Sequence, residues 1–219
     1  MGHRRAAAGG PAAGGAGHDQ GRGARPGHRP GHHAIYYASK GYVATGIDGS
    51  QTALQRAREN AQKAGVSVNF ELADATKLEG LENRFDTVVD CAFYHTFSTE
   101  PELAQRYAQA LRRATKPGAR LYMFEFGAHD VNGFTMMRSL SEKDFRDVLP
   151  AAGWEISYLG TTTYQVNVSA ESIELMAKRN PDMADQVEDM LKRYRAMEPW
   201  LKGGRVHAPF WEIHATRVD

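Results

Sequence analysis

The sequence predicts an α/β fold: a mostly parallel sheet covered by helices on both faces. Three observations carry this. From residue 33 onward, strand-like and helix-like segments alternate at short spacing, the pattern of β-α-β units. One segment, residues 85–93 (FDTVVDCAF), is almost continuously apolar, as a strand covered on both faces must be. The 219-residue chain is 42% hydrophobic and 24% charged, enough to bury the core of one ordinary domain.

The elements follow in order. Residues 32–40 fit a helix, with Gly41 just past its end. Residues 42–47 (YVATGI) fit a strand closed by Asp48. Ser50 is placed to cap a helix running to residue 64, with Ala53, Leu54, Ala57 and Ala61 at helical spacing and Gly65 ending it. Residues 66–71 form the next expected strand, followed by Ala73-Asp74-Ala75. A helix over 102–115 is stopped by Lys116-Pro117-Gly118, and residues 120–126 (RLYMFEF) return as a strand. Ser141 caps a helix to 152, and 154–159 is another strand. Helices over 169–179 and 181–198 form an insertion, with Pro181 in a first-turn position where its missing N–H does no harm. Residues 210–217 close the chain as a strand.

The first 33 residues differ from all of this. They hold 10 of the 22 glycines and 5 of the 9 histidines, and no Val, Ile, Leu, Phe, Tyr or Trp. Such a segment buries too little apolar surface to offset its ordering entropy, so we expect it to be disordered as written. It carries five arginines against Asp19. A basic arm or a histidine metal tract are its functional readings, but the histidine spacing suits no ligand set and no aromatic interleaves the charges.

Charge and cysteine content narrow the function classes. The formal net charge is +1, which points away from nucleic-acid and membrane-surface partners. Cys91 is the single cysteine, so an internal disulfide or multi-cysteine metal site is excluded. No apolar run approaches the roughly 18–20 residues of a membrane span, and the N-terminus lacks a secretory apolar core. A cytoplasmic enzyme, monomer or homodimer, with no metal, is the expectation.

Ligands of parallel sheets bind beyond the carboxyl ends of the strands. Two acids stand there. Asp48 follows Gly27 by the spacing of a ribose-binding acid after a glycine loop, and a carboxylate can accept both ribose hydroxyls. Asp74, after the third strand, can accept from an adenine amine while the next N–H donates to the ring. The structural alternative for Asp48 is a helix cap or turn former.

GYVATGIDGS, ELADATKL, RFDTVVDCAFYHTF, ATKPGARLYMFEF and the closing FWEIHATRV together resemble the class I S-adenosylmethionine-dependent methyltransferases over residues 31–219. The resemblance implies a Rossmann-like seven-stranded sheet, an antiparallel last strand after a helical lid over 168–205, and bound S-adenosyl-L-methionine. It implies cofactor contacts from Gly27, Gly31, Asp48, Gly49, Asp74, Ala75, Asp90 and Cys91, with Asp48 on the ribose and Asp74 and Ala75 at the adenine edge. It is nearest to small bacterial enzymes that methylate O or N of aromatic or heteroaromatic small molecules. Tyr94 and His95 follow the fourth strand where the methyl group should emerge, and His95 has the titration range of a general base, the structural alternative being a histidine that caps the next helix or packs in the wall. Phe126 and Tyr164 are the expected substrate wall. Met176, Met183, Met190, Met197, Trp200 and the nearby Phe210 and Trp211 either adapt to a flat ligand or only cover the sheet. A nicotinamide-dependent oxidoreductase, or a remnant without activity, are the competing readings.

One departure is marked. The family's glycine loop should stand at Ala24-Arg25-Pro26-Gly27-His28-Arg29-Pro30-Gly31, but Arg25 replaces the acid and Arg29 the middle glycine. Those eight residues can be encoded as GCT CGA CCC GGG CAC CGG CCC GGG. One base later, the same string reads Leu-Asp-Pro-Gly-Thr-Gly-Pro, and a glycine codon completes the missing fingerprint. We therefore expect residues 1–31 to be an out-of-frame translation of a methyltransferase N-terminus.

Overall fold

The computed structural model describes residues 5–9, 31–136, 139–179 and 184–219. Its strands are β1 (Arg5–Gly9), β2 (Val43–Asp48), β3 (Asn69–Leu72), β4 (Phe85–Cys91), β5 (Thr115–Phe126), β6 (Trp154–Asn167) and β7 (Arg205–Arg217). The α-helices are α1 (His32–Ser39), α2 (Gln51–Lys63), α3 (Pro101–Ala114), α4 (Glu142–Ala151), α5 (Ala170–Arg179) and α6 (Ala184–Met197). The strands form one seven-stranded sheet in the order β3-β2-β1-β4-β5-β7-β6. The first five are parallel, and β7 runs antiparallel to both of its neighbours. The order reverses beside β1, so the crevice beyond β1, β2 and β4 is the switch point where ligands bind in such sheets.

Local chemistry accounts for the helices. The Ser50 hydroxyl accepts the Ala53 N–H at 3.3 Å and starts α2, whose Ala53, Leu54, Ala57 and Ala61 stripe is buried. At the start of α4, the Asp144 carboxylate accepts both the N–H and the hydroxyl of Ser141. One core lies under α3 and α4, with Tyr107, Leu111, Phe145, Leu149 and Trp154 packed on Val88, Leu121, Met123 and Ile213. A second lies between the other side of β5 and β7 and the insertion, where Ile173, Val187 and Tyr194 pack with Phe134, Val206, Ala208 and Phe210.

Three differences from the sequence expectation have physical reasons. Residues 5–9, expected to be disordered, form β1 between β2 and β4. Backbone pairing needs no particular side chain, and an empty central slot would bury two unpaired strand edges. Strand β5 starts at Thr115 rather than residue 120, because Phe85 pairs with Thr115 across a register shift. Strands β6 and β7 are far longer than their expected 154–159 and 210–217. Their antiparallel register continues from Phe210 to Arg205, beyond the point where Phe126 ends β5. The β-branched and aromatic run TTTYQV sustains that extension. The overhang is joined to α5 and α6, whose Ile173, Val187 and Tyr194 share a cluster with Ala92, the residue after β4. Pro181 and Met183 lie outside the described residues.

Candidate active site

The two acids meet through the backbone. Asp48 pairs with Leu72 in the β2–β3 ladder, and the Ala73 N–H donates to the Asp48 carbonyl at 3.2 Å. The loop bearing Asp74 and Ala75 therefore folds against the tip of β2. Asp48 Oδ1 accepts the Ser50 N–H at 2.8 Å. Burial nevertheless pushes the Asp48 carboxyl above its ordinary value, with that one bond opposing. A half-buried carboxylate with so few donors suits a ligand that brings hydroxyl groups to it. Asp74 is better supplied. Burial would raise its pKa, but the Thr76 hydroxyl at 2.7 Å and N–H at 2.9 Å, with Lys77 and Arg106, hold it below the ordinary carboxylate range. Asp74 thus also shapes its own turn.

Gly31 opens α1 in the left-handed region at φ +82°, and a Cβ there would stand 2.9 Å from that of Ala57 and 3.0 Å from the Phe70 ring. Glycine is the residue this close approach admits. Around Gly49 the nearest neighbour of such a Cβ would be the Ala73 carbonyl at 3.9 Å, so its place beside the Asp74 loop is roomy. Gly27 lies outside the described residues.

Neighbouring residues of β4 face opposite ways. Cys91 is buried beside the Tyr164 hydroxyl, and Tyr37 of α1 is close enough to interact with both. Burial, and then Glu125 and Asp90, push the Cys91 thiol up to about 12, so it stays protonated and inert. Asp90 points into the α3 core. It is fully buried, accepts the Tyr107 hydroxyl at 2.9 Å and the Phe93 N–H at 3.2 Å. Its side chain is thus a core group. Tyr94 is packed likewise. Its ring packs on Tyr107 and Phe145, and its hydroxyl donates to the Asp144 carbonyl at 3.0 Å, which makes it a packing residue under α4.

His95 is different. It is buried inside a short 3-10 turn over Tyr94–Phe97, beyond the tip of β4, and its ring lies 4.2 Å from that of Phe126. Phe126 meets Phe210 edge-on at 5.1 Å, and Phe210 stacks on Tyr164 at 5.1 Å and 26°. The expected wall residues Phe126 and Tyr164 are thus joined by Phe210 into one aromatic run ending at His95. Of the insertion residues, Met190 and Met197 pack into the second core, whereas Trp200 is 85% exposed. Trp211 is on the opposite face, against Phe145 and His129.

The residue that sequence reasoning missed is Glu125. It is fully buried at the end of β5, where Oε1 accepts the N–H groups of Phe93 and Tyr94 at 2.7 and 2.8 Å. Oε2 lies 3.0 Å from His95 Nδ1 and 3.2 Å from the His95 N–H. Burial pushes this carboxyl up to about 7 despite those bonds, and pushes Asp90 beside it well above the ordinary range. A lone acid in an apolar strand (RLYMFEF) was the available signal.

No group of three or more His, Cys, Asp or Glu side chains placed to hold a metal occurs among the described residues, and no described helix is long and apolar enough to cross a membrane.

Residues 27–118 match the methyltransferase domain family. A 2-heptyl-1-hydroxyquinolin-4(1H)-one methyltransferase of Mycobacteroides abscessus is 31% identical over 121 residues, 53% of this chain and 51% of that protein. The chain spans about half the length of the curated relatives it matches. Among solved structures, a SAM-dependent methyltransferase from Methanosarcina mazei superposes with TM-score 0.62 at 19% identity, covering 100% of this chain and 94% of that one. A 1,6-didemethyltoxoflavin-N1-methyltransferase from Burkholderia thailandensis, solved with its substrate and S-adenosylhomocysteine, gives 0.56 at 16% identity, covering 99% and 72%. With this strand order and these matches, the chain has the fold of the class I S-adenosylmethionine-dependent methyltransferases and is similar to them over residues 27–118.

Proposed function

We propose that this protein transfers a methyl group from S-adenosylmethionine to an oxygen or nitrogen of a small aromatic or heteroaromatic acceptor. The observation that carries the reading is Asp48, half-buried at the switch point and joined through Ala73 to the Asp74 loop. Asp48 would hold the ribose hydroxyls, Asp74 and Ala75 the adenine edge, and Gly31, Gly49 and Cys91 the surrounding walls. Bound there, adenosylmethionine supplies a methyl group already activated by its sulfonium.

The chain's own work is then positioning and proton transfer. Phe126 and Tyr164, backed by the buried Phe210, would form the wall for a flat acceptor, and α5 and α6 would shield it from water. His95, at the end of that run, would take the proton of an acidic hydroxyl or N–H. Substrates named for the relatives, a hydroxyquinolinone and a didemethyltoxoflavin, are heteroaromatic and fit this wall.

Titration calorimetry tests the cofactor reading. Asp48→Ala should weaken adenosylmethionine more than about tenfold, the equivalent of ~1.4 kcal/mol. Unchanged affinity removes the ribose role. NAD is the control, because a nicotinamide enzyme would be stabilised by NAD and not by adenosylmethionine.

We also infer that residues 1–31 are read out of frame, so that the glycine loop belongs to the neighbouring frame. The support is the complete fingerprint recovered directly before His32. Resequencing decides it: bases that cannot encode Asp-x-Gly-x-Gly-x-Gly in either neighbouring frame refute the inference.

A further inference from the structure

We propose that Glu125 is the positioning residue for His95, holding the imidazole with Nδ1 protonated and Nε2 as its acceptor nitrogen. This rests on the reading of His95 as the base. A carboxylate has about four acceptor sites on its two oxygens. In Glu125 these meet the N–H groups of Phe93, Tyr94 and His95 and the His95 Nδ1. The first three fix the turn that carries the histidine, and the fourth fixes its ring. The Phe126 ring, packed on the imidazole, limits its rotation.

The arrangement requires the proton between the two buried carboxyls to rest on Asp90. Like charges side by side in a core do not both ionise, and one proton settles the pair. Glu125 has three backbone donors, whereas Asp90 has the Tyr107 hydroxyl and the Phe93 N–H. The anion therefore belongs on Glu125. Facing it are Asp90 and Cys91 from β4, Tyr94 and His95 from the turn, and Tyr107 from α3, with Asp144 of α4 behind Tyr94.

The consequence for transfer is a balanced proton path. The acceptor hydroxyl gives its proton to His95 Nε2 while an oxygen electron pair forms the new bond to carbon. The carbon–sulfur bond breaks and its electrons return to sulfur. The imidazolium so formed lies against the Glu125 carboxylate, which stabilises it without taking the proton. If the proton rested on Glu125 instead, Nδ1 would be the acceptor and Nε2 the donor, and the ring could not act as a base toward the acceptor.

Nitrogen-15 NMR on histidine-labelled protein, with His95 assigned by His95→Asn, tests this without donor or acceptor. At pH 8 the wild-type His95 should show a protonated Nδ1 and an unprotonated Nε2, and Glu125→Gln should lose that preference. A protonated Nε2 in the wild type, or the same tautomer in Glu125→Gln, overturns the proposal. If Glu125→Gln does not fold, the wild-type tautomer decides alone. In turnover of a 2-alkyl-1-hydroxyquinolin-4-one at saturating adenosylmethionine, Glu125→Gln should lower kcat about 100-fold with KM changed less than threefold. Wild-type kcat should rise through about pH 7 as Glu125 ionises, and Glu125→Gln should lose that rise. A failure of adenosylmethionine to bind would end the methyltransferase reading and leave the tautomer result standing. Normal binding with the wrong tautomer would end only the Glu125 role.

Discussion

Glu125 shows how a buried acid links stability to pH. Its carboxyl, ordinarily at 4.5, is raised to about 7 in the fold, chiefly by burial. Between those values the folded chain holds the proton that the unfolded chain has already released, so stability falls as pH rises from 4.5 to 7. Asp90, pushed the same way, extends the decline upward. Denaturant midpoints over that window should drop for the wild type and flatten in Glu125→Gln; parallel curves would contradict the assignment. Tyr94 makes the opposite case, since its hydroxyl bonds a carbonyl of α4 inside the core. Tyr94→Phe should cost about 1 kcal/mol of stability and leave the pH dependence of turnover in place, read by urea unfolding and kcat profiles. The sequence brought Tyr94 and His95 forward together because both follow β4. It could not tell them apart, since a turn sends adjacent side chains to different sides.

At the scale of elements, the informative feature is the overhang of β6 and β7. Tyr164 pairs with Ala208, two residues beyond the Phe126–Phe210 pair that ends the contact with β5, which sets it roughly 7 Å further along at the usual strand rise. From there it extends the aromatic wall above the strand tips. Tyr164→Ala should raise KM for the heteroaromatic acceptor at least tenfold and change adenosylmethionine affinity less than threefold, by calorimetry and steady-state kinetics. An unchanged KM would place the acceptor elsewhere. Strands β2, β3 and β4 were legible because apolar alternation and acids or glycines bound them. The extent of β6 and β7 was not, because even a β-prone run such as TTTYQV becomes strand only where a partner strand supplies its hydrogen bonds.

At the scale of the whole molecule, the central strand is the weak point. The sheet places an Ala-rich pentapeptide between β2 and β4, where Val and Ile would bury more apolar surface. A frame-corrected chain, with an apolar first strand leading into the glycine loop, should melt higher and bind adenosylmethionine at least tenfold tighter. Scanning calorimetry and isothermal titration measure the two effects, and equal values for both chains would remove the case for a lost frame. By itself the sequence determined the α/β class, the resemblance to methyltransferases, and the acids at the ends of β2 and β3, because periodicity and short motifs are written in neighbouring residues. The tertiary structure alone decided that Glu125 reaches His95 from 30 residues away, that Asp90 and Tyr94 turn into the core, and that Phe210 joins Phe126 to Tyr164. Those contacts depend on which strands lie side by side and which face each side chain takes, and no local pattern encodes either.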